Sequence, residues 1–166
     1  MHRSIQKVFV LQDLTGKRAL VTGGSRGIGA SIVLALADKG SDVAFSYDRS
    51  ADRAAEVVAK VEAKGRRAVA IQASSEDPDA IARLVEQTVA ALGGLDILVN
   101  NAAVAHGELT ATMSLANIDR MLAINVRGAI LVSQAVIPHL NTGGRIILLG
   151  SSVSDRVLAP EATVYA

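Results

Sequence analysis

The residues best suited to chemistry in this sequence are the glycines of Gly23-Gly24-Ser25-Arg26-Gly27-Ile28-Gly29. Glycine permits a tight turn, lets backbone N–H groups approach an anion, and leaves room for a helix to pack on a strand. The loop follows Arg18-Ala19-Leu20-Val21-Thr22, a short apolar run that reads as a strand buried on both faces. It leads into an apolar stretch with helical spacing that begins at Gly27. The first N–H groups of a helix lack intrahelical acceptors, so a glycine turn from a buried strand into a helix suits the pyrophosphate of a dinucleotide. The chemistry expected is the binding of a dinucleotide cofactor by its pyrophosphate.

The elements that must position this loop can be read from periodicity. Ile28, Ile32 and Leu36 recur at helical spacing, and Gly40 closes that helix. A second strand is expected at 42–46. The stretch 51–64 places Ala54, Val57, Val58 and Val61 on one face, as a helix lying on a sheet does. A third strand at 68–72 precedes Asp77-Pro78, which opens a helix with Ile81, Leu84, Val85, Val89 and Leu92 on its buried stripe. A fourth strand at 95–99, a long helix over 114–140 and a fifth strand at 145–149 complete the pattern. Strict alternation of nearly all-apolar strands with helices implies an α/β fold, a doubly wound parallel sheet of Rossmann type. Residues 1–13 precede this alternation and are expected to be an N-terminal extension to a single domain at 14–166.

Composition narrows the function. The 17 basic residues nearly balance the 16 acidic ones, which provides no electrostatic footprint for nucleic acid. With no cysteine and only the scattered His2, His106 and His139, no disulfide or zinc cluster is expected. No apolar run approaches the roughly 18 residues that span a bilayer, so no membrane partner is expected either. The N-terminus lacks the apolar core and cleavage site of a secretory signal, and the expected location is cytoplasmic.

The spacing Thr22-Gly23-x-x-x-Gly27-Ile28-Gly29 resembles the signature of the short-chain dehydrogenase/reductase family. Four further marks follow in the family's order: Asn100-Asn101-Ala102-Ala103 after strand four, Asn125-Val126-Arg127-Gly128 in the long helix, Ser151-Ser152 after strand five, and Tyr165. Ala103 replaces the family's glycine. The resemblance implies strand order 3-2-1-4-5 and a homo-oligomer, a tetramer or a dimer. It implies that Tyr165 is the acid/base, that Ser152 holds the substrate oxygen, and that Asn125 anchors a water leading to the family's lysine. That lysine would fall beyond Ala166, and the chain resembles an N-terminal portion that stops before the family's last strands. The pattern looks like the 3-oxoacyl-acyl-carrier-protein reductase branch, with a small carbonyl compound or secondary alcohol as substrate. A cofactor-binding but catalytically silent form, or a fragment, is the alternative.

The resemblance places Asn101 and Ala102 beside the cofactor ribose through backbone contacts, while Asn100 is expected to tie neighbouring strands together. His106 and Glu108 are expected in a solvated loop. A carboxylate at the end of strand two favours NAD and an arginine favours NADP. Here that end reads Tyr47-Asp48-Arg49-Ser50, and Arg26 in the glycine loop adds a second cation. Two arginines and a serine outweigh one aspartate, so NADP(H) is expected, with NAD as the alternative. The remaining cofactor contacts fall on Gly23, Ser25, Gly27, Ile28 and Gly29, and on Ser74, which replaces the family's adenine-binding aspartate.

Overall fold

The computed structural model describes residues 13–154, 161 and 165. The expected extension lies outside the described residues apart from Asp13. Five strands, β1 (Arg18–Val21), β2 (Asp42–Tyr47), β3 (Ala68–Gln72), β4 (Leu95–Asn100) and β5 (Leu140–Leu148), form one sheet in the order β3-β2-β1-β4-β5. Every pairing is parallel. This is the expected doubly wound sheet, and the strand order reverses direction at β1, where the glycine loop begins.

Alternation along the strands divides the core into two layers. Leu20, Ala44, Ile71 and Leu98 face the layer that contains Leu84, Val132 and Val136. Ala19, Val21, Val43, Phe45 and Val99 face the layer that contains Val33, Ala37, Val57 and Val61. The helices α1 (Gly27–Asp38) and α2 (Ala51–Glu62) thus cover one face, and α3 (Pro78–Leu92) with α5 (Ala129–Val136) covers the other. Asp77 caps α3 by accepting from the Asp79 N–H at 2.9 Å, and Gly93 ends it in the left-handed region at φ 79°.

Several sequence expectations need correction. The buried residues of α1 are Gly29, Val33 and Ala37, whereas Ile28 is 67% exposed. Ser31 and Asp38, two turns apart, mark the exposed face that Ile28 shares, and close packing at Gly29 fixes the opposite face against the loop. The long helix is interrupted. After α4 (Leu115–Met121), residues Leu122–Gly128 form a π-helical turn before α5, and Ile137–His139 form a 3-10 turn. β5 begins at Leu140 rather than 145, because Leu140 pairs with Leu95 before a register shift brings Arg145 opposite Ile97. Asn100 ties β4 to α5, not to another strand: its Nδ2 donates to Ser133 Oγ at 3.0 Å and to the Ala129 carbonyl at 3.3 Å.

The helical stretch Leu115–His139 spans 25 residues and is long and apolar enough by length and composition to cross a membrane, contrary to the sequence expectation. The stretch contains no unbroken apolar run because Asp119, Arg120 and Arg127 interrupt it. In the fold, Val132 and Val136 of this stretch pack into the core, while Leu122, Val126, Ile130 and Ile137 remain exposed.

Asp96 locks the end of the sheet remote from the glycine loop. It accepts from the Arg18 backbone N–H at 3.0 Å, from Arg18 Nε at 2.9 Å and from Asn141 Nδ2 at 2.9 Å. Burial pushes its carboxyl up, but the Asn141 and Arg18 hydrogen bonds and the Arg18 charge outweigh it and hold the group below its ordinary value. The folded carboxyl is therefore the stronger acid. Its stabilisation is complete above the unfolded value of about 3.9 and is lost as pH falls through the lower folded value. Asp96→Asn should cost about 1–3 kcal/mol at neutral pH. Urea unfolding of both proteins should show this gap narrowing below about pH 4; a gap that stays constant on acidification would refute the role.

Candidate functional site

The glycine loop is held from three directions. From β2, the buried Ser46 accepts the Gly23 N–H on Oγ at 3.0 Å and the Gly24 N–H on its carbonyl at 2.8 Å. From the segment after β4, Asn101 Nδ2 donates to the carbonyls of Thr22 at 2.9 Å and Gly23 at 3.2 Å. Thr22, buried at the end of β1, accepts the N–H groups of Asn101 and Ala102 on Oγ1, each at 3.0 Å. From α1, Gly29 packs so closely that a Cβ there would fall on the Gly23 carbonyl and lie 2.6 Å from Asn101 Nδ2. Gly23 and Gly27 sit at φ 68° and 54°, the left-handed region that glycine enters without steric penalty.

This arrangement leaves the N-terminus of α1 uncapped. Arg26 occupies the cap position in extended conformation without a side-chain hydrogen bond to the helix, and the first turn contains no acidic residue. By contrast, Asp77 caps α3 and Ser114 caps α4. An uncapped helix start with positive dipole charge and rigid flanking amides is suited to bind phosphate oxygens.

The uncapped end opens into a groove of about 890 Å3 above the C-terminal ends of the strands. Gly23, Ser25, Arg26, Gly27, Ile28 and Gly29 line one side of it. Tyr47, Arg49 and Ser50 after β2, Ser74 after β3, and Asn101 and Ala102 after β4 line the rest. The structure therefore brings every residue expected at the cofactor to one place. Arg26, Arg49 and Arg53 also line a neighbouring recess of about 510 Å3, together with Asp52 and Glu56. Asp48, the one carboxylate at the end of β2, pairs with Arg49 at 3.3 Å. Both side chains are exposed, so the pair is weak and Arg49 can turn toward an anion.

The residues expected at the substrate are placed differently. Asn125 lies in the π turn and its amide is engaged at both ends: Nδ2 donates to the Val104 carbonyl at 2.8 Å, and Oδ1 accepts the Val104 N–H at 2.9 Å. It therefore fixes the segment after β4, whose Val104 lines the groove. Ser152 is exposed at the start of the 3-10 turn Ser152–Ser154, past the end of β5. Tyr165 lies in a turn, partly buried. The loop expected to be solvated is more ordered than that. Glu108 accepts from Asn117 Nδ2 at 2.7 Å, and His106 Nε2 is buried with no partner among the described residues. Among the described residues no group of three or more His, Cys, Asp or Glu could hold a metal ion.

Sequence reasoning missed Ser46, Arg53, Glu76, Arg120 and Ile124, all of which line the groove. Two of them had a local signal. Arg53 lies four residues after Arg49, across the start of α2, and Ile124 lies one helical turn after Arg120. Ser46 and Glu76 gave none, because their partners are remote in sequence.

A sequence model of the family described as short chain dehydrogenase matches residues 17–166. Versicolorin reductase 1 of Aspergillus parasiticus is 39% identical over 153 residues, covering 92% of this chain and 58% of that protein. A short chain dehydrogenase from Burkholderia cenocepacia, solved in complex with NADP, is 52% identical with a TM-score of 0.91; the match covers 93% of this chain and 63% of that one. A blue fluorescent protein from a metagenomic library, solved in complex with NADPH, is 45% identical with a TM-score of 0.90, over 93% of this chain and 64% of that one. The chain thus spans 58% to 64% of the length of these three relatives.

Proposed function

Since this chain belongs to the short chain dehydrogenase family, we propose that it is the cofactor-binding part of an NADP(H)-dependent oxidoreductase that interconverts a ketone and a secondary alcohol. The observation that carries the reading is the uncapped start of α1 in a groove that Arg26, Arg49 and Arg53 also line. Amides of the glycine loop would take the pyrophosphate. The three arginines would take a phosphate on the ribose, which is the difference between NADP and NAD. The solved relatives with bound NADP and NADPH support the same choice. When bound, the nicotinamide supplies or accepts a hydride.

The chain's own residues then have three tasks. Ser152 would orient the substrate oxygen by a hydrogen bond, and Tyr165 would give or take the proton at that oxygen. Asn125 would hold the Val104 segment that borders the groove, and any water at the π turn would be held by main chain, since the side-chain amide is committed to Val104.

Fluorescence titration of this chain with NADPH and NADH tests the cofactor half of the reading. NADPH is expected to bind at least about tenfold more tightly, the value of a single charge-assisted contact. Equal affinities would overturn the NADP assignment, and no binding of either would overturn the site. The catalytic half is tested by ketone-dependent oxidation of NADPH by the protein that contains this chain. NADPH binding without turnover on any ketone would favour the silent form.

A further inference from the structure

The groove has a second charged element besides the three arginines. Arg120 of α4 donates from Nε to Glu76 Oε1 at 2.7 Å, and Arg127 donates to the Glu76 carbonyl at 3.0 Å. Glu76 belongs to the turn after β3, where Ser74 Oγ accepts its N–H at 3.3 Å. The helix and the turn are pressed together. A Cβ on Gly128 would lie 2.6 Å from the Ser75 carbonyl. Ser74, Glu76, Arg120 and Ile124 all line the groove, with Ile124 buried and the Arg120 side chain 35% exposed.

In an open α/β sheet the adenosine half of a dinucleotide lies over the strands on the β2 and β3 side, with its ribose at the end of β2. Ser74, Glu76, Arg120 and Ile124 line the same groove as the residues after β2. Ser74 offers a purine one hydroxyl in place of the two acceptor oxygens of a carboxylate. A guanidinium is planar, delocalised and weakly hydrated, and it stacks on aromatic faces. Glu76 fixes its plane through Nε, and Ile124 one turn away adds an apolar surface at its edge.

Resting on the proposed cofactor, we infer that Arg120 is a binding residue for the adenine ring, stacking its guanidinium on the base, and that Glu76 is the positioning residue that sets its plane. The pair compensates for the lack of a carboxylate at Ser74. An ammonium cannot stack in this way, so lysine is not an equivalent of Arg120.

The test uses two fragments that differ only in the base, adenosine 2′,5′-bisphosphate and ribose 2,5-bisphosphate, with dissociation constants measured by calorimetry. Their ratio isolates the contribution of adenine. Arg120→Met, which keeps an unbranched stem, should shrink that ratio about tenfold, and Arg120→Lys should not restore it. Glu76→Gln should shrink it by a smaller factor, about threefold. Circular dichroism checks that each variant is folded, and Glu76→Gln keeps the experiment decisive if an Arg120 variant is not. If Arg120 and Glu76 serve only to clamp helix to turn, both fragments weaken together and the ratio stays within about twofold of wild type, which overturns the inference while leaving the cofactor reading intact. Failure of the wild-type chain to bind NADPH overturns both.

Discussion

Gly29→Ala should abolish measurable cofactor binding at micromolar concentration and also destabilise the fold. The added Cβ has nowhere to go: it meets the Gly23 carbonyl and the Asn101 amide, and those two groups are hydrogen-bonded to each other. Relief requires α1 to shift away from the loop, which misaligns the uncapped amides that define the phosphate site. Each charge-assisted hydrogen bond lost is worth about 1.5–3 kcal/mol, or about 10–150-fold in affinity. Two such losses remove binding from the accessible range. Forced overpacking costs about 1–3 kcal/mol of stability. Gly65→Ala is the control, since Gly65 has φ 71° but a Cβ placed there would meet nothing within 4 Å, and Gly65 does not line the groove. It should lose about 1 kcal/mol from backbone strain and bind NADPH normally. Thermal melts with and without NADPH separate the two effects. A Gly29→Ala protein that NADPH still stabilises as it does wild type would show that the loop is not the phosphate cradle.

Arg26→Ala combined with Arg49→Ala should weaken NADPH by about 100-fold while leaving NADH within about twofold. Both side chains line the groove and the neighbouring recess, which is where the proposed site places the ribose phosphate. Either single change, and Arg53→Ala at the same recess, should cost about tenfold. Asp48→Asn should move in the opposite direction by releasing Arg49 from its 3.3 Å pair. Raising ionic strength should diminish the NADPH preference, as expected for exposed charges. Arginine variants that lose NADH and NADPH affinity in parallel would place these cations on the pyrophosphate instead of the ribose phosphate.

The course of the chain was largely legible because each element is specified locally. Apolar runs of strand length, helical spacing, Asp77-Pro78 and the glycines at helix ends each act within a few residues, and the helical regions and strands stand close to where these signals place them. The failures have one cause. α1 has only Ser31 and Asp38 to mark its outer face among many apolar residues, and the close approach of Gly29 to the Gly23 carbonyl fixes which face turns inward. The π turn at Leu122–Gly128 has no composition of its own; it stands where Asn125 is drawn into hydrogen bonds with Val104. Asn100 was placed on the correct strand but given the wrong partner, because Ala129 and Ser133 come near it only when α5 packs on the sheet.

The same division holds for the site. Neighbours along the chain suffice to specify the glycine loop, its position between a buried strand and a helix, and the arginines Arg26, in the loop, and Arg49, after β2. The bracing of the loop is a matter of tertiary packing, through Ser46 and through the mutual lock of Thr22 and Asn101, 79 residues apart. So are the entry of Arg53 into the cation cluster and the meeting of Glu76 with Arg120 across 44 residues. Hydrogen bonds and ion pairs act over a few ångströms of space and carry no trace in the spacing of distant residues, so they become visible only when a parallel sheet gathers the ends of its strands into one groove.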